Sequence, residues 1–224
     1  IHSVTDMHWI VMVREPLQSY ESWIKKSYAK GRYEELAQKL RAMLFEIDNI
    51  SYSTNVSIGI KLEDLKTQPK KTIRALCNWL EVSEESSLYE MTAQKKKWWG
   101  DPTSPDFSKD GMNPFGTTAI NRKVGTLLSK TDQFIFRTLF YPFSVRFGYI
   151  EANQNQFEND LQSIRPHLEK MFDFEKNMLK NFNLDPEEFL SSGSCVGLRS
   201  TLIERWNTLN KFGTYHNLLT PLII

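Results

Sequence analysis

Two short apolar runs predict the strands of this protein. Residues 8–14 read HWIVMVR, a continuous run rich in β-branched residues that is typical of a strand covered on both faces. Residues 56–65 read VSIGIKLEDL and predict a second buried strand, whose C-terminal end carries Glu63 and Asp64. Helical periodicity follows each run, so we expect two strand-then-helix units.

Prolines mark the start of the helices that should follow these strands. Pro16 and Pro69 each suit a first helical turn, where the missing N–H is not needed. The helix after Pro16 should bury the apolar residues at its three- and four-residue steps, which are Leu17, Tyr20, Trp23, Ile24 and Tyr28. The helix after Pro69 should bury Ile73, Leu76, Cys77 and Leu80, and another helix is expected over about 33–48. Strands alternating with helices favour an α/β layer fold with a mainly parallel sheet, whose ligands bind beyond the carboxyl ends of the strands.

The stretch from about 92 to 128 has little periodicity and is rich in Gly, Pro, Ser, Thr and Asp. So long a loop in a compact domain is usually functional, and we expect this one to cover a substrate. Ser129 followed by Asp132 predicts a capping box for a helix that runs to about Phe140, because Pro142 cannot continue it.

After residue 150 the chain becomes polar and then regains helical periodicity. Asp185 is expected to cap one of these helices, and Gly213 suits the end of another over about 199–211. Their many large apolar residues have to be buried. We therefore expect an α/β domain over 1–150 and a helical appendage over 151–224, packed on that domain or on a second subunit of a homo-oligomer.

Composition and charge exclude several partners. Of the 224 residues, 40% are hydrophobic and 25% charged, and the formal net charge is +1, which gives no general attraction to nucleic acid or anionic lipid. No apolar run approaches the roughly 20 residues of a membrane span. The two cysteines are too few for a disulfide framework and favour a reducing, cytoplasmic compartment, with the Golgi lumen left open. Because the chain lacks an initiator Met and enters a strand almost at once, we interpret it as part of a longer polypeptide.

Arg14 is the most informative single residue. It ends the first predicted strand and stands beside a predicted helix N-terminus, so a bidentate guanidinium would meet free N–H groups and a favourable helix dipole. That combination suits a phosphate. The alternative, to which we give equal weight, is that Arg14 pairs with Glu15 or Asp64 on a structural rim.

The stretch VREPLQSYES, with Arg14 and Ser22 eight residues apart, resembles a phosphate-binding motif. The motif is that of sulfotransferases that use 3′-phosphoadenosine 5′-phosphosulfate (PAPS), in which a strand ends in Arg and the following helix supplies Ser. The resemblance implies that Arg14 and Ser22 hold the 3′-phosphate of PAPS and of its product, adenosine 3′,5′-bisphosphate (PAP).

Three later stretches resemble the same family in the same order. Residues 60–82 are similar to its strand and helix around Tyr-Glu-Asp-Leu, with Leu62 in place of Tyr, and 147–150 (FGYI) are similar to its Gly-Tyr ending. NRKVGTLLS, 121–129, resembles the Arg-Lys-Gly loop that closes on the 3′-phosphate. The resemblance implies three further ligands, Arg122, Lys123 and Gly125, although Val124 takes the glycine position of the motif.

The resemblance covers about residues 8–150 and implies a P-loop-like sulfotransferase fold, incomplete at its N-terminus. It implies transfer of a sulfuryl group from PAPS to the hydroxyl or amine of a small-molecule or carbohydrate acceptor, with this chain supplying the 3′-phosphate-binding part. The family's N-terminal loop of the Lys-Gly-Thr type, which holds the 5′-phosphosulfate, has no counterpart here. We therefore expect the full-length protein to be an enzyme and this stretch alone to be inactive. The alternative is a non-catalytic sulfotransferase-like domain used for binding or assembly.

No residue is assigned as catalytic base. His8 precedes the strand, about six residues of 3.3 Å from Arg14, and reads as a surface histidine, while His2 carries no positional signal. Glu63 and Asp64 are more readily explained as groups that orient a backbone or an arginine. The lysine run 95–97 before Trp98 and Trp99 could hold an anionic or sugar acceptor, but a solvated run is the simpler interpretation. No His, Cys or Asp cluster has metal spacing, so no metal site is predicted.

Overall fold

The computed structural model describes residues 7–90, 92–93, 96–97 and 115–224. The chain is mixed α/β and mostly helical, with a small parallel sheet. The strands are β1 (His8–Val13), β2 (Val56–Lys61), β3 (Thr92–Ala93) and β4 (Lys96–Lys97). The helices are α1 (Pro16–Ala29), α2 (Tyr33–Glu46), α3 (Ser51–Thr54), α4 (Leu62–Thr67), α5 (Pro69–Leu80), α6 (Lys130–Leu139), α7 (Tyr141–Arg146), α8 (Gln154–Ile164), α9 (Asp173–Phe182), α10 (Pro186–Ser191) and α11 (Gly193–Phe212). Short 3₁₀ turns occupy Ser86–Tyr89 and Arg165–His167.

The chain forms two compact units that interleave along the sequence. The sheet unit comprises Ile1–Arg14, Asn55–Arg122 and Thr220–Ile224, and the helical unit comprises Glu15–Thr54 and Lys123–Leu219. The helices that follow residue 150 therefore belong to the same unit as α1 and α2. This division crosses the boundary that we expect at residue 150.

The sheet unit is built on β1 and β2, which pair in parallel from His8 opposite Val56 to Val13 opposite Lys61. This confirms the predicted parallel pairing. The last residues of the chain extend the sheet beyond β2, because the Gly59 N–H donates to the Thr220 carbonyl at 2.7 Å and the Leu222 N–H donates to the Gly59 carbonyl at 2.8 Å. The short strands β3 and β4 form a separate antiparallel pair.

Two details of the predicted strands are wrong. β1 is not covered on both faces, since Trp9, Ile10 and Met12 are 39%, 45% and 49% exposed. Its apolar sequence favours extended backbone but does not supply the layers that would cover it. β2 ends at Lys61 rather than at residue 65, because Leu62–Thr67 turns into α4. The carboxylates of Glu63 and Asp64 therefore lie in a first helical turn, where the helix dipole favours them.

The helical unit has the apolar core that the periodicity predicts, with one exchange. α1 packs on α2 and on α6, and its Leu17, Tyr20 and Ile24 are buried. On α2, Leu36, Leu40 and Leu44 are also buried. Trp23, which we expect in this stripe, is 46% exposed, whereas Glu21, on the same helix, is only 3% exposed. α11 packs on α2, α6 and α8 and so closes the core from the other side.

Helix ends were predicted most accurately where a capping residue marks them. Ser129 and Asp132 form the predicted capping box, and α6 ends at Leu139. Asp185 caps α10 by accepting from the N–H groups of Glu187 and Glu188 at 2.9 and 2.8 Å. Gly213, with φ of 69°, ends α11, which begins six residues earlier than predicted. Cys77 and Cys195 are buried free thiols. No helix within the described ranges is both long and apolar enough to cross a membrane.

Candidate functional site

Arg14 lies at the carboxyl edge of the parallel sheet. It follows β1 directly and is half-buried, and Lys61, which ends β2, is paired with Val13 in the register. Because the strands are parallel, both carboxyl ends meet at this edge, the usual place for a ligand in an α/β layer fold. The Oδ1 atom of Asp64, on α4, lies 3.8 Å from Lys61 Nζ.

Ser22 lies on α1 in the helical unit, half-buried and one residue after the buried Glu21. The start of α1 carries an acidic cap, because the N–H of Gln18 donates to Glu15 Oε2 at 2.7 Å. This bond takes one of the four N–H groups that a helix N-terminus offers to an anion. The helix therefore contributes less to a phosphate site than its sequence suggests.

The loop before α6 carries the remaining predicted phosphate ligands. Arg122, in the sheet unit, is exposed, and Lys123, which opens this part of the helical unit, is also exposed. Gly125 has φ of +100°, where a side chain is strained, and a Cβ there would come within 3.1 Å of Gln133 Nε2. A glycine is thus required at 125 by the loop itself, although the resemblance places one at 124.

The helical unit brings Gly125 to Glu21, a residue that the sequence analysis did not select. Four consecutive N–H groups, of residues 125 to 128, donate to the Glu21 carboxylate at 2.8, 2.6, 3.1 and 3.4 Å, and the Thr126 hydroxyl donates to it as well. Successive N–H groups that converge in this way form an anion-binding nest. We call residues 125–128 with Glu21 the Glu21 nest.

The environment of Glu21 controls its charge. Burial by itself raises the pKa of a carboxyl group, but the hydrogen bonds from Thr126, Gly125 and Leu127 outweigh that effect and lower the pKa of Glu21 below its ordinary value. Glu21 is therefore an anion at neutral pH. The N–H of Gly125, which the resemblance assigns to the 3′-phosphate, donates to this internal anion.

A second buried carboxylate, Asp132, joins two helix starts. It is 1% exposed and accepts from the N–H groups of Asp173 and Phe174 at 3.0 and 3.1 Å, in addition to its capping box with Ser129. Burial raises the pKa of Asp132, with the hydrogen bonds opposing that shift. The hydroxyl of Ser129 in turn donates to Asp173 at 2.8 Å. These contacts hold α6 and α9 together.

Two cavities of the helical unit are lined by residues other than the predicted phosphate ligands. One, of about 790 Å³, runs along α11 past Cys195, Arg199 and Phe212. Another, of about 650 Å³, lies between α2 and the start of α11. Neither is lined by Ser22, Lys123 or Gly125.

One of the described candidates for acid–base or acceptor roles has a clear packing contact. The His8 ring meets the Trp79 ring edge-on, with centroids 5.3 Å apart, which fits a packing role. Lys96 and Lys97 form β4, while His2, Lys95, Trp98, Trp99 and most of the predicted substrate-covering loop lie outside the described residues. In the part of the chain that is described, no three His, Cys, Asp or Glu residues come together as around a metal ion.

Comparison with known proteins does not place the chain in a family: no family model, no curated protein and no solved structure matches it.

Proposed function

We propose that the protein is a sulfotransferase that uses PAPS, with this chain supplying the residues that recognise the 3′-phosphate. The observation that carries the proposal is Arg14, a guanidinium directly after a strand that pairs in parallel with β2, at the edge where such sheets bind ligands. Ser22, Arg122, Lys123 and Gly125 follow in the order of the sulfotransferase motifs. The P-loop-like fold belongs to the same proposal.

The proposed reaction moves a sulfuryl group between two oxygens, or from an oxygen to a nitrogen. The acceptor hydroxyl or amine attacks the sulfur of PAPS, the bond from sulfur to the bridging oxygen breaks, and PAP leaves with the electron pair. The acceptor's proton passes to a base, which remains unassigned. The protein contributes mainly positioning and stabilisation of the charge on the leaving oxygen, as in phosphoryl transfer.

The proposal is tested by nucleotide affinity. PAP should bind the intact protein far more tightly than adenosine 5′-monophosphate, because only PAP carries the 3′-phosphate. Replacing Arg14 with Ala should remove most of that preference, about 2–3 kcal/mol for a charge-assisted pair. Isothermal titration calorimetry measures both affinities.

Arg74 provides the matched control for this experiment. It is an exposed arginine of the sheet unit, with its Nε 3.1 Å from Glu84, and it has no assigned role in nucleotide binding. Arg74→Ala should leave the preference unchanged. Equal affinity of the wild-type protein for the two nucleotides would refute the proposal, and an equal loss in both arginine variants would reduce it to a general charge effect.

One observation favours the alternative of a non-catalytic binding or assembly domain. The N–H groups of residues 125–128 donate to Glu21, so the loop is held by the protein's own carboxylate. These N–H groups are therefore occupied within the protein, whereas catalysis would require preorganised donors for the leaving group. Labelled PAPS, given to the intact protein with a panel of phenol, alcohol, amine and carbohydrate acceptors, separates the two functions, because a binding domain would retain PAP without forming labelled product.

A further inference from the structure

The Glu21 nest connects two stretches of the helical unit that are about a hundred residues apart in sequence. Glu21 lies on α1, and its carboxylate oxygens accept hydrogen bonds from N–H groups of a loop that begins at Lys123 and leads into α6. The contact uses both carboxylate oxygens: Oε2 accepts from Gly125 at 2.8 Å, and Oε1 accepts from Thr126 at 2.6 Å. The loop is therefore fixed to α1 in position and in orientation.

This contact has to be strong for Glu21 to be tolerated where it lies. At 3% exposure the carboxylate has lost nearly all of its water, and a desolvated charge without hydrogen bonds is very unfavourable. The four N–H groups and the Thr126 hydroxyl donate hydrogen bonds to the carboxylate in place of that water. Since charge-assisted hydrogen bonds are roughly twice as strong as neutral ones, the loop and the carboxylate hold each other.

The position of Glu21 relates the nest to the proposed phosphate ligands. Ser22 follows Glu21 on the same helix, and Lys123 stands two residues before the first N–H of the nest. The nest thus links the helix that bears one proposed ligand to the loop that bears another. The N–H of Gly125 serves this link by donating to Glu21, so Gly125 acts through the shape of the loop.

We propose that Glu21 is a positioning residue, which holds the loop that begins at Lys123 against α1 and thereby sets the preference for nucleotides with a 3′-phosphate. This inference rests on the proposed function. Without the carboxylate, the N–H groups of the loop form hydrogen bonds to water, and the backbone of Lys123 is no longer held in one position. The affinity for PAP then falls, while that for adenosine 5′-monophosphate, which has no 3′-phosphate, stays the same.

The test compares Glu21→Gln and Glu21→Asp with the wild-type protein in calorimetric titrations with PAP and with adenosine 5′-monophosphate. Gln keeps the shape but brings an NH₂ group against the loop donors, so the preference for PAP should fall about tenfold, the equivalent of one charge-assisted bond. Asp keeps the charge and should retain most of the preference. Amide hydrogen exchange should show faster exchange at residues 125–128 in the Gln variant only.

Asp132→Asn is the matched control, because Asp132 is also a buried carboxylate of the helical unit that accepts from backbone N–H groups, at 3.0 and 3.1 Å. It should lose stability without losing the preference for PAP. An equal loss of preference in Asp132→Asn would overturn the inference, since the effect would then follow stability alone.

The remaining outcomes are also decisive. Full preference in a folded Glu21→Gln variant overturns the inference and leaves the proposed function intact. A wild-type protein with no preference overturns both. If Glu21→Gln does not fold, Thr126→Ala, which removes only the hydroxyl donor to Glu21, carries the test, and an unchanged preference in that variant overturns the inference.

Discussion

A buried ion pair between α9 and α11 offers the most quantitative test of how the helical unit is held together. Glu175 is fully buried and accepts from Arg199, from the Tyr33 hydroxyl at 2.6 Å and from the Phe172 N–H at 2.8 Å. Burial and the neighbouring Glu175 charge raise the pKa of Tyr33, so its hydroxyl keeps the proton that it donates. One carboxylate therefore joins α2, α9 and α11.

Replacing Arg199 with Met should destabilise the protein by about 3–5 kcal/mol, because it leaves the Glu175 charge buried without a counterion. Glu175→Gln should cost a similar amount, because it leaves the guanidinium unpaired. The Nε and Nη1 atoms of Arg199 have no hydrogen-bond partner among the described residues, so the hydrogen-bonding capacity of the ion pair is incompletely satisfied. A replacement that removes both charges should for that reason cost less than either single change.

The double variant, Glu175→Gln with Arg199→Met, should then cost about 1–3 kcal/mol, well below the sum of the single changes. Urea unfolding followed by circular dichroism at pH 7 gives the free energy of unfolding of all four proteins. Tyr33→Phe, which removes one hydrogen bond and no charge, is the control and should cost about 1.5–3 kcal/mol. Strict additivity of the two single changes, or single changes below about 1 kcal/mol, would refute the argument.

Three further outcomes are expected. The hydrogen bonds of the nest lower the pKa of Glu21, so the contribution of this carboxylate to stability is complete above the ordinary glutamate pKa of about 4.3 and is lost as the pH falls through the lower pKa of the folded state. The difference in unfolding free energy between the wild-type protein and Glu21→Gln, measured from pH 7 to pH 3, should therefore shrink at the acidic end, and a constant difference would contradict this. Deleting 151–224 should lower thermal stability or solubility, because α11 packs on α2; a monodisperse remainder with an unchanged melting temperature would contradict this. Residues 1–224 should show no sulfuryl transfer in an activity assay, because all of the proposed ligands would hold the 3′-phosphate. Removing even one preorganised donor from a reacting group costs about 100- to 1000-fold in rate, and robust turnover would contradict this prediction.

The parts of the fold that the sequence predicted well are those fixed by neighbouring residues. The capping box at Ser129, the cap at Asp185 and the helix start at Pro69 each depend on groups within three or four positions. The parallel pairing of β1 with β2 was also predictable, because a strand–helix–strand order favours it. The burial of β1 was not predictable, because the same apolar residues suit a central, buried strand or an exposed one.

The candidate site divides in the same way. Arg14 could be selected from its position at a strand end, a property of the local sequence. The partner of Gly125 could not, because it depends on which surface the loop meets after folding, across 104 positions of sequence. The resemblance pointed to the loop and to Gly125, but it did not point to Glu21, the carboxylate that accepts from the Gly125 N–H.

One signal for Glu21 was nevertheless present in the sequence. Leu17, Tyr20 and Ile24 define the buried stripe of α1, and position 21 completes its steps of three and four residues, so the helix had to bury a glutamate or twist the stripe toward Trp23. A glutamate inside an apolar stripe is tolerated only where donors meet it, because an unpaired buried charge costs far more than the burial of one more apolar side chain gains. A loop with Gly and Thr, whose N–H groups can converge without steric hindrance, is the kind of segment able to supply them. A carboxylate in the middle of an apolar helix face therefore predicts hydrogen-bond donors elsewhere in the chain, although it says neither where they lie nor whether they form a nest, as for Glu21, or come from side chains, as for Glu175.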